Sequence, residues 1–252
     1  MKLLVTRPAA QAAEWVRQLR ERGVDADALP LIGIFPPRDA RAVQAAWRTL
    51  AAQRLVMFVS PNAAEQFFAL RPDGAAWPAG TLAGSPGPGT SRTLLALGVP
   101  AEAIAEPAAD APQFDSESLW RQLSSRDWRG ARVLIVRGES GRDWLADALR
   151  AHGATVDFVT AYERGAPRLD AREQAVLSAA RAAPRAQVWM FSSSESIAQL
   201  EALAPGADWR GAAALATHPR IAQRAREAGF GTVLESRPAL DAVVACLQSF
   251  EP

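Results

Sequence analysis

The side chains best placed for chemistry are one phenol and several guanidinium groups that follow apolar runs. Tyr162 is the only tyrosine in the chain and closes the segment TVDFVTAY. In RGESGRDWL, Arg137 ends an apolar run, and Arg142 follows Gly138 and Gly141. A phenol can donate a proton, while guanidinium groups and backbone N–H groups bind an oxyanion together. These residues predict proton donation and carboxylate binding, with an aromatic filler between two lobes as the alternative for Tyr162.

Further candidates stand at turns that open predicted helices. Ser60 and Ser192 each follow a buried run, where an N-cap residue belongs, and Thr90 follows the glycines of GSPGPGT. The glycine spacing matches neither G-x-G-x-x-G nor a Walker motif, so a dinucleotide is not predicted. This turn either holds a carboxylate at a helix N-terminus or is purely structural. His218, in THPR, either lines the site or is an ordinary turn residue.

Composition excludes several classes of protein. The 252 residues are 49% hydrophobic and 22% charged, and the net charge of +1 argues against a nucleic-acid surface. No apolar run approaches the roughly 20 residues needed to cross a bilayer, and the N-terminus is typical of a β-strand rather than a signal peptide, which predicts a cytoplasmic protein. Two histidines and one cysteine form no metal-ligand pattern, so no metal is predicted. Cys246, in an apolar run, is predicted to be a buried helical residue.

The elements that must position these side chains are encoded by an internal duplication. Short apolar or β-branched runs alternate with helical periodicity, which is typical of parallel sheets with helices on both faces. The predicted strands are 3–6, 55–60, 81–85, 133–136, 155–162, 188–192, 213–217 and 232–235. The predicted helices are 9–22, 39–52, 63–70, 90–97, 116–123, 142–152, 168–182, 195–202, 219–228 and 239–250. The duplicated pairs are 2–32 with 132–162, 55–70 with 187–202, and, more loosely, 81–99 with 213–230.

Duplication of this kind predicts two similar lobes with a cleft between them. The repeats alone fit tandem lobes, 1–130 and 131–252, as well as an arrangement in which the lobes exchange segments. Proline-rich segments at 32–39 and 164–170 are the candidate linkers, because each follows the second strand of the longest repeat.

The chain resembles the uroporphyrinogen-III synthase family along nearly its full length. The resemblance is carried, in order, by LVTRP, FVSPNA, PGT, VLIVRGESGRDWLADALRAHGA, a strand ending in a lone tyrosine followed by a charged residue, FSSSES and ATHPRIAQRAREAGF. It implies an α/β fold of two flavodoxin-like lobes with parallel sheets, joined by a two-strand linker, with the chain crossing between lobes. The implied bounds are 1–35 with 167–252 for lobe 1, 38–164 for lobe 2, and linkers near 33–38 and 163–168.

The resemblance also implies an activity and a set of site residues. The expected enzyme needs no cofactor and cyclises hydroxymethylbilane, an open chain of four pyrroles with eight carboxylates, with loss of water and inversion of the last ring. Tyr162 is the implied general acid. The implied substrate-binding residues are Thr6, Arg7, Ser60, Asn62, Thr90, Arg137, Gly138 and Ser192, to which the turns add Arg142 and His218.

One departure from the family pattern concerns the turn at 217–219. Some members carry a pair of threonines there, whereas this chain has Thr217, His218 and Pro219. We expect a monomer that binds neither nucleic acid nor membrane. The alternatives are a cytosolic two-lobed small-molecule binding protein without catalysis, and a scaffold built from duplicated units, which leaves Tyr162 and the strand-end arginines unexplained.

Overall fold

The computed structural model describes residues 1–111 and 113–250. These residues form twelve strands and ten α-helices. The strands are β1 Lys2–Val5, β2 Ala26–Ala28, β3 Gly33–Phe35, β4 Leu55–Phe58, β5 Leu82–Gly84, β6 Ile104–Ala105, β7 Arg132–Arg137, β8 Thr155–Thr160, β9 Glu163–Gly165, β10 Gln187–Phe191, β11 Ala213–Ala216 and β12 Thr232–Glu235. The helices are α1 Ala9–Glu21, α2 Ala40–Arg48, α3 Pro61–Ala69, α4 Pro88–Ala96, α5 Ser116–Leu123, α6 Trp144–Ala151, α7 Ala171–Ala182, α8 Ser194–Leu203, α9 Pro219–Glu227 and α10 Leu240–Gln248.

The chain divides into two compact units, and the first is discontinuous in sequence. It consists of Met1–Ile34 and Gly165–Pro252. Its sheet has the order β12-β11-β10-β1-β2, and every pairing is parallel. Successive residues of β1 point to opposite faces: Leu4 packs with Trp189 and Phe230 on one side, while Leu3 and Val5 pack beneath α1 and α10 on the other. Helices on both faces explain why these strands are apolar throughout.

The second unit is the continuous stretch Phe35–Arg164. Its parallel sheet has the order β6-β5-β4-β7-β8. One face buries Met57 and Ile135 against α5 and α6. On the other face Trp47 stacks on Phe67 with ring centroids 4.8 Å apart, and its Nε1 donates a hydrogen bond to the carbonyl of Phe67. The indole is therefore buried without an unsatisfied donor.

The two sheets have the same strand arrangement, although the corresponding strands occur in a different order along the chain. The repeats align β1 and β2 with β7 and β8, and β10 and β11 with β4 and β5; each aligned strand has the same place in its sheet. Because β1 pairs with β10, tandem lobes of 1–130 and 131–252 are excluded, and the predicted fold class is confirmed. β3 and β9 form a separate two-stranded sheet at the two points where the chain passes between units.

Each sheet contains a point where the direction of chain progression reverses. In the first unit the chain moves outward from β1 to β2 and, on the other side, from β10 to β12. In the second unit the reversal lies between β4 and β7. Open parallel sheets bind ligands outside the carboxyl ends of their strands at such a switch point. The residues that follow β1, β10, β4 and β7 therefore stand where such a fold binds a ligand.

Candidate functional site

The phenol of Tyr162 lies at the carboxyl edge of the second unit's sheet. Tyr162 follows β8 and is only 2% exposed. Its hydroxyl lies 3.4 Å from Ser60 Oγ, a distance at the long end of hydrogen bonding. Ser60 follows β4 and Gly138 follows β7, so three predicted site residues from three strands meet at one place. Gly138 is itself buried against the phenol ring.

Ser60 has two roles in this arrangement. It is the N-cap of α3, and its Oγ accepts a hydrogen bond from the backbone N–H of Ala63 at 3.2 Å, as the sequence predicted. Pro61 occupies the first turn, where its missing N–H costs nothing. Asn62, in the same turn, is 5% exposed. The start of α3 thus presents a fixed hydroxyl to Tyr162 at the positive end of a helix.

Arg137, the last residue of β7, and Arg142, in the turn that follows, are each paired with a carboxylate of the same unit. Arg137 Nη1 lies 2.5 Å from Asp143 Oδ1, and its guanidinium stacks over Phe158 at 4.0 Å. Arg142 makes two hydrogen bonds to Glu117, at 2.6 and 3.1 Å. The prediction placed Arg142 in the first turn of a helix, whereas α6 begins at Trp144. The carboxylate of Glu117 therefore neutralises the guanidinium of Arg142.

The turn after β5 contains a hydroxyl network that the sequence analysis missed. Ser91 Oγ lies 2.9 Å from Ser85 Oγ and 2.6 Å from a carboxylate oxygen of Glu106, and Ser85 Oγ donates to the carbonyl of Gly87. Both serines are buried. The predicted residue Thr90 is buried beside them but does not open the helix, because α4 begins at Pro88 with Gly87 as its N-cap. The six-residue spacing of two serines across a glycine turn was the available signal.

In the first unit, Thr6 and Arg7 follow β1 at its switch point. Thr6 is 1% exposed, and its Oγ1 donates to the carbonyl of Met190 at 2.7 Å, which ties β1 to β10. Arg7 stacks over Trp15 at 4.4 Å. Within the described part of the chain its buried Nε has no hydrogen-bond partner. Burial lowers the pKa of Arg7 to about 10, so the site holds a cation that the fold alone does not neutralise.

The remaining predicted residues of the first unit lie at helix starts. Ser192 follows β10 and is half-buried, but the N-cap of α8 is Ser193, whose hydroxyl accepts from the backbone N–H of Glu195. The prediction that Ser192 is the N-cap was therefore wrong by one residue. His218 is exposed and caps α9, with Nδ1 accepting from the backbone N–H of Arg220 at 3.1 Å. Cys246 lies in α10, as predicted, but is half-buried rather than buried.

The side chains that commonly ligate metals are dispersed through the two units. Across residues 1–111 and 113–250, His, Cys, Asp and Glu side chains do not gather in any group of three or more that could hold a metal ion. The helices of the same ranges include none long and apolar enough to cross a membrane. The phenol of Tyr162 and the strand-end arginines can themselves supply a proton and bind anions.

Fold and site together define a flavodoxin-like α/β protein of two units, with its polar candidates at the carboxyl edges of both sheets. The family model of uroporphyrinogen-III synthase HemD matches residues 13–245. The chain belongs to this family.

Two relatives agree with this assignment. The uroporphyrinogen-III synthase of Escherichia coli strain K12 is 30% identical over 208 residues, covering 81% of this chain and 80% of its own. The enzyme of the same name from Salmonella typhimurium is 32% identical over 177 residues, covering 70% of each chain.

Two solved structures share the fold. Uroporphyrinogen-III synthetase from Helicobacter pylori 26695 gives a TM-score of 0.57 at 16% identity, with all of both chains covered. A mutant uroporphyrinogen III synthase from the extremely thermophilic bacterium Thermus thermophilus gives 0.53 at 15% identity, covering 99% of this chain and 100% of its own.

Proposed function

We propose that this chain cyclises hydroxymethylbilane to uroporphyrinogen III, with loss of water and inversion of the last pyrrole ring, as a step of heme and other tetrapyrrole biosynthesis. The family and the fold favour this enzyme over a binding protein without catalysis. The observation that carries the proposal is the position of Tyr162, whose phenol meets Ser60 and Gly138 beside the switch point of the second sheet.

The first chemical step needs one weak acid. Departure of the terminal hydroxyl as water leaves an azafulvene cation that is stabilised by conjugation with the pyrrole, so no strong acid is required. Tyr162 is the proposed donor, because its hydroxyl is held at the carboxyl edge by Ser60. Ser60 Oγ already accepts the N–H of Ala63, which fixes its position.

The second step is a problem of geometry. In the proposed route the substituted carbon of the last ring attacks the electrophilic terminal carbon of the azafulvene cation and forms a spirocyclic intermediate, although closure without inversion is easier. An enzyme achieves this by holding the substrate in one reactive conformation. The substrate's carboxylates are suitable handles for guanidinium groups and helix N-termini.

The proposed carboxylate-binding set comes from both sheets. Arg7 supports it most directly, because its buried Nε is without a partner in the described chain. In the second unit, Arg137 and Arg142 hold carboxylates of their own unit, and we propose that substrate carboxylates exchange with these. The other members are Thr6, Ser60, Asn62, Thr90, Gly138, Ser192 and His218. The enzyme is proposed to act in the cytoplasm as a monomer, with lobe bounds of 1–35 with 167–252 and 38–164.

The test is an assay of product isomers. Purified protein is incubated with freshly generated hydroxymethylbilane, and the type I and type III uroporphyrinogens are separated after oxidation. We expect the type III isomer from the wild type, and a large but incomplete loss of turnover in Tyr162→Phe. Thr155→Val, which removes a hydroxyl at the exposed opposite end of β8, is the control and keeps full activity.

Two results would overturn parts of the proposal. Binding of hydroxymethylbilane with only type I product would identify a binding protein and not a synthase. Type III product formed at the wild-type rate by Tyr162→Phe would retain the activity but remove Tyr162 as the acid.

A further inference from the structure

Arg164 is the second group that contacts the hydroxyl of Tyr162, and neither motif nor turn pattern singled it out. It lies in β9, within the same unit as Tyr162. Its Nη2 donates to the phenol oxygen at 3.4 Å, and its guanidinium carbon lies 5.9 Å from the centroid of the ring. The side chain is exposed, whereas Tyr162 is buried. A cation therefore reaches from solvent to the one atom that the proposed mechanism uses as an acid.

We infer that Arg164 is a positioning residue that stabilises the charge left on Tyr162 when the phenol gives up its proton. This inference rests on the proposed function, because it deepens the role of the same hydroxyl. A guanidinium stays protonated at any physiological pH and has no acceptor. Its only possible contribution at this oxygen is to donate a hydrogen bond, and such a bond strengthens when the acceptor becomes an anion.

The proton and the electron pairs can be followed through the step. The O–H bond of Tyr162 breaks, and its proton forms an O–H bond with the hydroxymethyl oxygen of the substrate. The C–O bond of the substrate breaks, water leaves with the electron pair, and the pyrrole nitrogen lone pair forms the C=N bond of the azafulvene cation. Arg164 and Ser60 hold the resulting phenolate. The phenolate recovers a proton when the last pyrrole regains its aromaticity, so the net change is loss of one water.

Stabilisation of this kind acts on the transition state and not on the bound substrate. Removal of the Arg164 guanidinium is therefore expected to lower kcat with little change in KM. The backbone of β9 pairs with β3, which holds residue 164 in place whatever its side chain, so a substitution should not move Tyr162. The neighbouring residue Glu163 forms an ion pair with Arg38, in which Arg38 Nε lies 3.0 Å from Glu163 Oε1.

The experiment is a double-mutant cycle on the full-length protein. Steady-state kinetics are measured for Arg164→Gln, Arg164→Lys, Tyr162→Phe and the double variant. Arg126→Gln, an exposed arginine of the same unit, is the control. We expect Arg164→Gln to lower kcat about 10-fold with KM unchanged, and Arg164→Lys to restore part of the loss because the cation is kept. In the Tyr162→Phe background, Arg164→Gln should have no further effect, because the oxygen it acts on is gone.

The outcomes separate this inference from the proposed function. Equal losses from Arg164→Gln with and without the phenol hydroxyl would show that Arg164 acts elsewhere, and a rise in KM alone would show that it binds substrate; either result overturns the inference. If Tyr162→Phe itself keeps the wild-type kcat, the acid assignment fails first and the inference falls with it.

Discussion

Gly138 lies directly against the ring of Tyr162. A β-carbon placed on Gly138 would be 3.0 Å from Tyr162 Cζ and 3.1 Å from Cε2, closer than side chains normally pack. The φ of Gly138 lies outside the left-handed region that favours glycine. The requirement for glycine therefore comes from the close approach of the phenol and not from the backbone.

Gly138→Ala is expected to displace the phenol by a few tenths of an ångström and to lower kcat about 10-fold while the melting temperature changes little. Formation of the type III isomer and thermal unfolding measure the two effects. Gly141→Ala is the matched control, because its β-carbon would come no closer than 3.8 Å to a side chain. Equal activity in the two variants would show that the position of the ring is unimportant.

Arg7→Met is expected to raise stability and weaken substrate binding at the same time. The half-buried guanidinium lowers the stability of the ligand-free protein by about 1–3 kcal/mol, because desolvation lowers its pKa to about 10 and its buried Nε is unsatisfied. Methionine keeps the packing on Trp15 without the charge. Urea unfolding at neutral pH should show the gain in stability, and KM for hydroxymethylbilane should rise. Arg181→Met, at an exposed arginine of the same unit, should change neither.

The sign of the pH dependence provides a second check on Arg7. Its folded pKa of about 10 lies below the ordinary value of an arginine, so the unfolded chain holds more protons in the pH window between the two pKa values. The loss of unfolding free energy caused by the Arg7 cation is therefore complete well below pH 10, and it becomes smaller as the pH rises above the folded pKa. The stability difference between Arg7→Met and the wild type should be constant from about pH 6 to about 9 and narrow at higher pH. A difference that widens with pH would contradict the assignment.

Ser192 and Ser193 should separate binding from folding. Ser193→Ala removes the N-cap of α8 and is expected to cost about 1 kcal/mol of unfolding free energy. Ser192→Ala should leave stability unchanged and raise KM, because Ser192 stands at the carboxyl end of β10 without capping the helix. Denaturant unfolding and steady-state kinetics on both variants test this pair. If Ser192→Ala lowers the unfolding free energy and Ser193→Ala does not, Ser192 is the N-cap of α8.

Gly231→Ala should destabilise the first unit without changing the chemistry. A β-carbon there would overlap the backbone carbonyl of Arg210, which cannot move as a side chain could. We expect a loss of at least about 2 kcal/mol. Gly211→Ala, whose β-carbon would meet Pro184 at an ordinary 3.4 Å, is the control. Because Gly231 precedes β12 at the amino edge of the sheet, the kcat of the folded fraction should be unaffected.

The sequence predicts the helices and the central strands well, but it does not predict the shortest strands. Central strands such as β4 and β7 are predictable because burial on both faces demands continuous apolar runs. The edge strands β2, Ala26–Ala28, and β6, Ile104–Ala105, are short and contain almost no β-branched residues, so their own residues do not mark them. The repeat of 2–32 in 132–162 indicated a strand in the region of β2, whereas nothing indicated β6. The pairing of β1 with β10 is a long-range contact that the repeats could not distinguish from a tandem arrangement.

The candidate site was predictable in its residue types but not in its contacts. Tyr162 stood out because it is unique in the sequence, and Ser60 because a serine before a proline marks a helix start. Ser193 could not be separated from Ser192 within FSSSES, since capping depends on which residue takes the extended backbone conformation. The pairing of Arg142 with Glu117 joins residues 25 positions apart, which helical and strand periodicities do not address.

The order of strands along the chain sets the order in which the two units can be completed during translation. β1 and β2 leave the ribosome first, but their neighbour β10 follows far later, as the hydrogen bond from Thr6 to Met190 across 184 residues shows. At about 5–20 residues per second that interval lasts roughly 10–40 s. All the strands of the second unit, Phe35–Arg164, have been synthesised before β10 is made. Until β10 has been made, the nascent chain therefore exposes the edge of β1 that will pair with it, and only the opposite edge can be covered, by β2.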